Sequence, residues 1–168
     1  MSFGNEENST KISERKKEHL ILGSSDKAAF KSKTNGFENY EFKHYAITEV
    51  DINKIDFSKD FFGKKINYPF LMSSMTGGTE ESNNINLKLA EVAQSLNIPL
   101  ALGSMRYALD SDEYDNHLKE IKRKSLSIPL IGNIGASQLI KEKKISRLQR
   151  LIDKIDADAF IVHINSVQ

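Results

Sequence analysis

The sequence predicts an α/β fold in which a βα unit recurs about every thirty residues. Pro69, Pro99 and Pro129 are the chain's three prolines; they lie thirty residues apart, and each opens an apolar run. A fourth run, DAFIVHIN, starts at Asp158. Continuous rather than alternating apolar runs are typical of strands buried on both faces, so the repeat predicts a parallel sheet.

Residues 1–68 differ from the rest and are predicted to form an N-terminal arm. SERKKEHLIL, at 13–22, predicts a short helix, and FENYEFKHYAI, at 37–47, places Tyr40, Phe42 and His44 at strand spacing. A turn centred on Gly63 should lead into the first core strand. We expect this arm to pack under or across the repeat region.

The repeat region, residues 69–168, is predicted to contain four strands, near 69–74, 99–103, 129–133 and 158–164. Apolar residues at helical spacing predict helices at 80–96 and 145–155, with a weaker pattern at about 112–124. Thr79 is a suitable N-cap for the first of them.

Two architectures accommodate such units. Eight units make a (β/α)8 barrel of roughly 250 residues, of which this chain holds about half. The length alone favours the alternative, a doubly wound sheet of four or five strands.

The composition excludes several classes of function. Lys and Arg total 24 and Asp and Glu total 23, so no net field attracts nucleic acid or an acidic membrane. The absence of cysteine excludes disulfides, zinc thiolate sites and cysteine nucleophiles. The sequence shows neither the apolar region of a signal peptide nor a run near the roughly 20 residues of a membrane span. We therefore expect a cytoplasmic protein.

The carboxyl ends of the predicted strands carry the polar motifs. They read SSMTGG, GSMR, GNIG and HINSVQ, and none contains an acid. Singly, each has a structural interpretation: Gly77 and Gly78 suit a tight turn, Arg106 suits a solvated loop and His163 suits a hydrogen-bonded strand end. Active sites of parallel α/β proteins form at these ends, so together they favour a planar polar cofactor or a phosphorylated ligand.

The ordered set RKKEH at 15–19, SSMTGG at 73–78, GSMR at 103–106, GNIG at 132–135 and HINSVQ at 163–168 resembles one family. It is similar to the type 2, FMN-dependent isopentenyl-diphosphate isomerases, from about Arg15 to the last residue. The resemblance implies the first four or so βα units of a TIM-type (β/α)8 barrel, an N-terminal half.

The family resemblance also implies a reaction. Members interconvert isopentenyl and dimethylallyl diphosphate with reduced FMN and Mg²⁺, and NADPH commonly supplies the reduction. The flavin N5 would serve as the acid and base at an allylic carbon, which would explain strand ends without a carboxylate pair. The full-length family implies a homo-oligomer.

The resemblance assigns two groups of residues to the diphosphate substrate. The arm would reach it through Arg15, Lys16 and His19, since cationic groups bind phosphate oxygens. The strand ends would border it through Ser104, Met105, Arg106, Asn165 and Gln168, with Arg106 as a second diphosphate contact.

The resemblance likewise assigns the cofactor surface and the catalytic residues. FMN would lie against Ser74, Met75, Thr76, Ser104 and Asn133. His163 and Gln168 would be catalytic, with Gln168 nearest the reacting carbons.

In the family that the chain resembles, a Glu that holds Mg²⁺ follows the residue equivalent to Gln168. Four further βα units come after it, and their loops hold the cofactor phosphate. Residues 1–168 are therefore expected to be a truncated barrel without turnover. Two alternatives remain open: a non-catalytic half-barrel that pairs with a second chain, and an FMN-barrel oxidoreductase of the hydroxy-acid oxidase type.

Overall fold

The computed structural model describes residues 14, 17–141 and 145–164. In the arm, residues 17–23 form helix α1, and three 3-10 turns follow at Asp26–Ala28, Phe37–Asn39 and Ile52–Lys54. No strand forms within 37–47, where the sequence shows strand spacing, and Phe42 is 97% exposed. A single extended segment has no partner for its backbone groups, so spacing alone does not produce a strand.

A β-hairpin closes the arm. Strands β1 (Lys59–Phe61) and β2 (Lys64–Ile66) pair antiparallel. The two residues between them, Phe62 and Gly63, have φ of 49° and 73°. Positive φ at both central residues is the type I′ pattern that matches the twist of a hairpin, and it accounts for the predicted turn at Gly63.

The hairpin is fastened to the sheet by buried and half-buried polar groups. The Lys64 ammonium donates to the Asp158 carboxylate (2.8 Å) and to the Ile128 carbonyl (3.0 Å). The same Asp158 oxygen accepts from the backbone N–H of Leu130 at 2.8 Å. This network joins β2 to the segments that lead into the second and third strands of the sheet.

The sheet is parallel and follows the chain order. It contains β3 (Leu100–Ala101), β4 (Leu130–Gly135) and β5 (Ala159–His163). Leu100 pairs with Leu130, and Ile131 pairs with Ala159.

The first predicted strand, near 69–74, is present as one isolated parallel bridge between Met72 and Leu100. Its two hydrogen bonds run from Met72 N to Pro99 O (3.0 Å) and from Ala101 N to Met72 O (2.8 Å). The bridge places the segment that follows Met72 beside the end of β3.

Five helices follow the hairpin in the described residues: α2 (Glu80–Leu96), α3 (Tyr107–Asp110), α4 (Asp115–Lys124), α5 (Ala136–Lys141) and α6 (Ile145–Ile155). Predicted helices 80–96 and 145–155 are confirmed. The Thr79 side chain accepts from the N–H of Ser82, so the predicted N-cap is also confirmed. Asn97, with φ of 51°, ends α2 in the left-handed conformation.

The core lies between these helices and one face of the sheet. Ala93 of α2, Leu118 of α4 and Leu151 of α6 are each at most 1% exposed and pack in one cluster with Leu100 and Leu130. Burial of each large side chain stabilises the fold by about 1.5–3 kcal/mol. The helices therefore hold β3 and β4 in register.

The last strand is less covered. Ile161 and Val162 of β5 are 37% and 45% exposed, at the edge of the described sheet. Among the described residues, no helix is both long and apolar enough to cross a membrane.

Candidate functional site

The carboxyl ends of the parallel strands bring three polar segments together. They are the loop 73–79 after Met72, the loop 102–106 after β3, and the end of β4 at 133–135.

Thr76 lies at the centre of the first loop and is 7% exposed. Its carbonyl accepts a hydrogen bond from the Asn86 side chain at 3.1 Å, so α2 holds the loop from one side. Gly103 approaches it from the other side, where a Cβ would collide with the Thr76 backbone. The glycine of GSMR is therefore required by the close approach of two loops.

Asn133 connects all three segments. Asn133 is 7% exposed, and its side-chain amide donates to the Ser74 hydroxyl at 3.5 Å. Its backbone carbonyl accepts from the N–H of Met105 at 2.8 Å. Because 3.5 Å is a long hydrogen bond, the amide retains capacity to donate to a ligand.

The residues of the GSMR loop differ in how deeply they are buried. Met105 is 0% exposed and packs in the core cluster, with its sulfur 3.3 Å from the position that a Cβ on Gly132 would take. Its side chain therefore faces the core, and its backbone contacts Asn133. Ser104 is half-buried, and Arg106 is exposed immediately before α3.

Three of the sequence-predicted residues lie in more exposed positions. Met75 is 81% exposed beside the buried Thr76. His163 is exposed and pairs in register with Gly135, at the same end of the sheet as Asn133. His19 is exposed on α1, and within the described residues no hydrogen bond joins it to the three polar segments. Arg15, Lys16, Asn165 and Gln168 lie outside the described residues.

Tyr107 is a residue of the site that the sequence reasoning missed. Its ring lies against the glycines of the first loop: added Cβ atoms on Gly77 and Gly78 would stand 3.1 and 3.0 Å from it. It also packs edge-on against Tyr114, with ring centroids 4.8 Å apart. Burial, with a smaller effect of Tyr114, raises the pKa of Tyr107 to about 12. The available signal was an aromatic residue directly after GSMR.

The charges around the three segments are few. Their residues include no acid, and Arg106 is their basic side chain. In the part of the chain that the structure describes, no group of three or more His, Asp or Glu side chains is arranged to hold a metal ion. The donors at this edge are thus hydroxyls, an amide and backbone N–H groups.

Comparison with known proteins identifies the family. A family model described as FMN-dependent dehydrogenase matches residues 8–132, which include Ser74, Thr76 and Ser104. The chain belongs to this family.

Curated relatives confirm the resemblance to the isomerases. Proteins named isopentenyl-diphosphate delta-isomerase are similar to this chain in Vibrio parahaemolyticus, at 41% identity over 154 residues, and in Nostoc sp., at 39% over 160. A protein of the same name in Chlorobium limicola is 37% identical over 155 residues.

These alignments cover 92%, 95% and 92% of this chain, and 45%, 45% and 43% of the respective relatives. The chain therefore spans about half the length of the curated relatives that it matches.

The residues at the sheet end fit the group that the family description names. A flavin ring is planar and presents carbonyl and nitrogen atoms along one edge. Ser74, Thr76 and Asn133 offer uncharged polar groups at the sheet end. The loop backbone at Gly77 and Gly78 carries no side chains. This donor set suits FMN and is unsuited to holding a metal ion.

Proposed function

We propose that this chain forms the FMN-binding part of a flavoenzyme that interconverts isopentenyl and dimethylallyl diphosphate in isoprenoid biosynthesis. The observation that carries the proposal is the 41% identity to a protein named isopentenyl-diphosphate delta-isomerase over 92% of the chain. The convergence of the SSMTGG, GSMR and GNIG segments at one sheet end supports it.

In this proposal Ser74, Met75, Thr76, Ser104 and Asn133 would hold FMN. The buried Thr76 and Asn133 would fix the ring, and the exposed Met75 would cover it from solvent. When bound, reduced FMN supplies the acid–base chemistry for which these strand ends contain no carboxylate.

The diphosphate would be bound by cationic side chains. Arg106 is exposed directly before α3, and its guanidinium would meet two phosphate oxygens at once. Arg15, Lys16 and His19 of the arm would contact the diphosphate as well. Ser104 would border the substrate, and Met105, whose side chain faces the core, would do so only through its backbone.

His163 is proposed to act at the reacting carbons together with Gln168, beside Asn165. The proposal is supported by the strand register, in which His163 pairs with Gly135 near the same end of the sheet as Asn133. We propose that Mg²⁺ and NADPH are required as well, with the metal ligand supplied by residues that this chain does not contain.

We further propose that the chain represents about four βα units of an eight-unit barrel, and that residues 1–168 alone show no turnover. The chain spans 45% of the Vibrio parahaemolyticus relative, and Ile161 and Val162 of β5 are partly exposed. A further strand beside β5 would cover these side chains. A complementary polypeptide would supply it, and copies of the completed barrel would associate like the homo-oligomer that is expected of the full-length family.

One observation favours a second candidate, a flavin-dependent oxidation. The matching family model is described as FMN-dependent dehydrogenase. A dehydrogenase of the hydroxy-acid type would reduce its flavin with each turnover, whereas the isomerisation has no net redox change.

The two candidates are separated by one assay. The chain is mixed with the part of the Vibrio parahaemolyticus relative that lies outside the alignment, and reduced FMN, Mg²⁺ and isopentenyl diphosphate are added without oxygen. We expect dimethylallyl diphosphate to form while the flavin spectrum stays reduced. A second anaerobic sample holds oxidised FMN and a 2-hydroxy acid instead. Flavin reduction in that sample, without isomerisation in the first, would overturn the proposal in favour of the dehydrogenase.

A further inference from the structure

Three elements contact the loop 73–79. The Asn86 amide fixes the Thr76 carbonyl from α2, and the Gly103 backbone lies against Thr76 from the end of β3. Tyr107 supplies the third contact, on Gly77 and Gly78.

The ring of Tyr107 lies close to the space that side chains on these two glycines would occupy. A Cβ on Gly77 would lie 3.1 Å from the Tyr107 Cε1 atom, and one on Gly78 would lie 3.0 Å from Cδ1. Both separations are tighter than ordinary carbon–carbon contact, so the ring is seated directly on the loop backbone. Gly78 has φ of 87°, which only glycine adopts without strain.

The ring is itself fixed from behind. Tyr114 packs edge-on against it with an interplanar angle of 78°, and α4 begins at the next residue, Asp115. A half-buried aromatic ring that lies between Tyr114, directly before a helix, and the glycine backbone forms a rigid support.

We infer that Tyr107 is a positioning residue whose ring fixes the Thr76–Gly78 backbone in the conformation that receives the flavin. The inference rests on the proposed function for the identity of the ligand. The ring acts through the loop, since its contacts are with Gly77 and Gly78. The contact requires the aromatic ring, whereas the hydroxyl is dispensable for it.

The first test measures the loop without a ligand. In the full 168-residue chain, ¹⁵N relaxation should give Gly77 and Gly78 order parameters of about 0.85, and Tyr107→Leu should lower them below about 0.6. Tyr107→Phe keeps the ring and should match the unchanged chain. Ala93 in the middle of α2 serves as the internal reference. Equal order parameters in the Leu variant, or a loss of the same size at Ala93, would overturn the inference.

The second test measures FMN. Tyr107→Leu should weaken FMN binding about fivefold or more, and Tyr107→Phe should change it less than about twofold, because one well-placed contact is worth about 1 kcal/mol. If the unchanged chain binds no FMN even with its complementary polypeptide, the proposed function fails. The order parameters then still decide whether Tyr107 fixes the loop.

Gly77→Ala tests the same contact with the ring intact, should the Leu variant not fold. The added methyl group would be forced against the ring. The backbone φ of Gly77 lies outside the left-handed region, so alanine adds no backbone strain there. We expect Gly77→Ala to weaken FMN binding, and to do so less when combined with Tyr107→Leu. Additive effects would show that the ring and the loop do not act together.

Discussion

The backbone N–H of Met105 donates a 2.8 Å hydrogen bond to the carbonyl oxygen of Asn133. Met105 belongs to the loop after β3, and Asn133 belongs to β4, so this bond continues the strand pairing beyond Ala101. It holds GSMR beside GNIG and leaves the Asn133 side chain directed toward Ser74. The proposed cofactor surface is therefore an extension of the sheet.

Asn133→Ala should weaken FMN binding by the chain assembled with its complementary polypeptide. The variant loses the amide donor, and a hydrogen bond of this kind contributes about 1 kcal/mol, or roughly fivefold in affinity. Flavin fluorescence titration measures the change. Asn116→Ala, at an exposed position on α4, is the matched control and should bind like the unchanged chain. Equal affinity in both variants would contradict the assignment of Asn133.

Gly103→Ala should destabilise the fold. A Cβ at this position collides with the backbone of Thr76, which cannot rotate away as a flexible side chain would. We expect a loss of about 1–3 kcal/mol in the free energy of unfolding, measured by denaturant titration. Gly23→Ala is the control, because nothing lies within 4 Å of an added Cβ there. A loss of similar size at both glycines would disprove the close approach.

Much of the repeat region was predictable from the sequence because local signals agree with packing. Thr79 caps α2 as its residue type and position indicate, and Pro99 and Pro129 stand directly before β3 and β4. The proline carbonyls also accept hydrogen bonds from the neighbouring strands, which the missing proline N–H does not affect.

Other features depend on tertiary contacts that no local pattern reports. Met105 is buried with its sulfur near Gly132 of β4, and the Tyr107 ring lies against two glycines about thirty residues earlier in the chain. The Lys64–Asp158 pair joins residues 94 positions apart. The sequence predicted Ser74, Thr76 and Asn133 as site residues, and the structure brings them to one end of the sheet. The sequence did not indicate Tyr107, whose ring contacts the same loop.

Asp158→Asn should loosen the hairpin of the arm. Asp158 is 15% exposed in its side chain and bonds both Lys64 and the N–H of Leu130. Loss of the charge leaves a half-buried ammonium without its ion partner, for which we expect about 1–3 kcal/mol of destabilisation.

Hydrogen exchange of the amides in 59–66 should accelerate in this variant. Asp156→Asn is the control, since that side chain is 81% exposed and its 3.5 Å pair with Lys122 is worth little. Unchanged exchange in the hairpin would contradict the claim that the hydrogen bonds of Asp158 hold the hairpin against the sheet.

The stability of the chain should fall at alkaline pH partly through Tyr107. Burial raises the pKa of this phenol to about 12 in the folded state, above its ordinary value of 10.0. The folded chain therefore retains a proton that the unfolded chain loses. The stabilisation is complete below pH 10 and is lost as the pH rises from 10 to 12.

Tyr107→Phe should flatten this decline, by roughly 1–3 kcal/mol between pH 9 and 12, because the titrating group is gone. Urea unfolding across that range measures it. Tyr40→Phe, whose ring is 81% exposed, should leave the decline as it is. A decline of equal steepness in Tyr107→Phe would refute the burial of the phenol.

The central claim is that the three strand ends of this chain receive the flavin. The most direct measurement is an FMN titration of the ¹⁵N-labelled chain, assembled with the unlabelled complementary part of the Vibrio parahaemolyticus relative. We predict amide shift changes concentrated at residues 74–78, 103–106 and 133–135. FMN binding to the complex with shifts elsewhere, or no FMN binding by an assembled complex, would contradict the account.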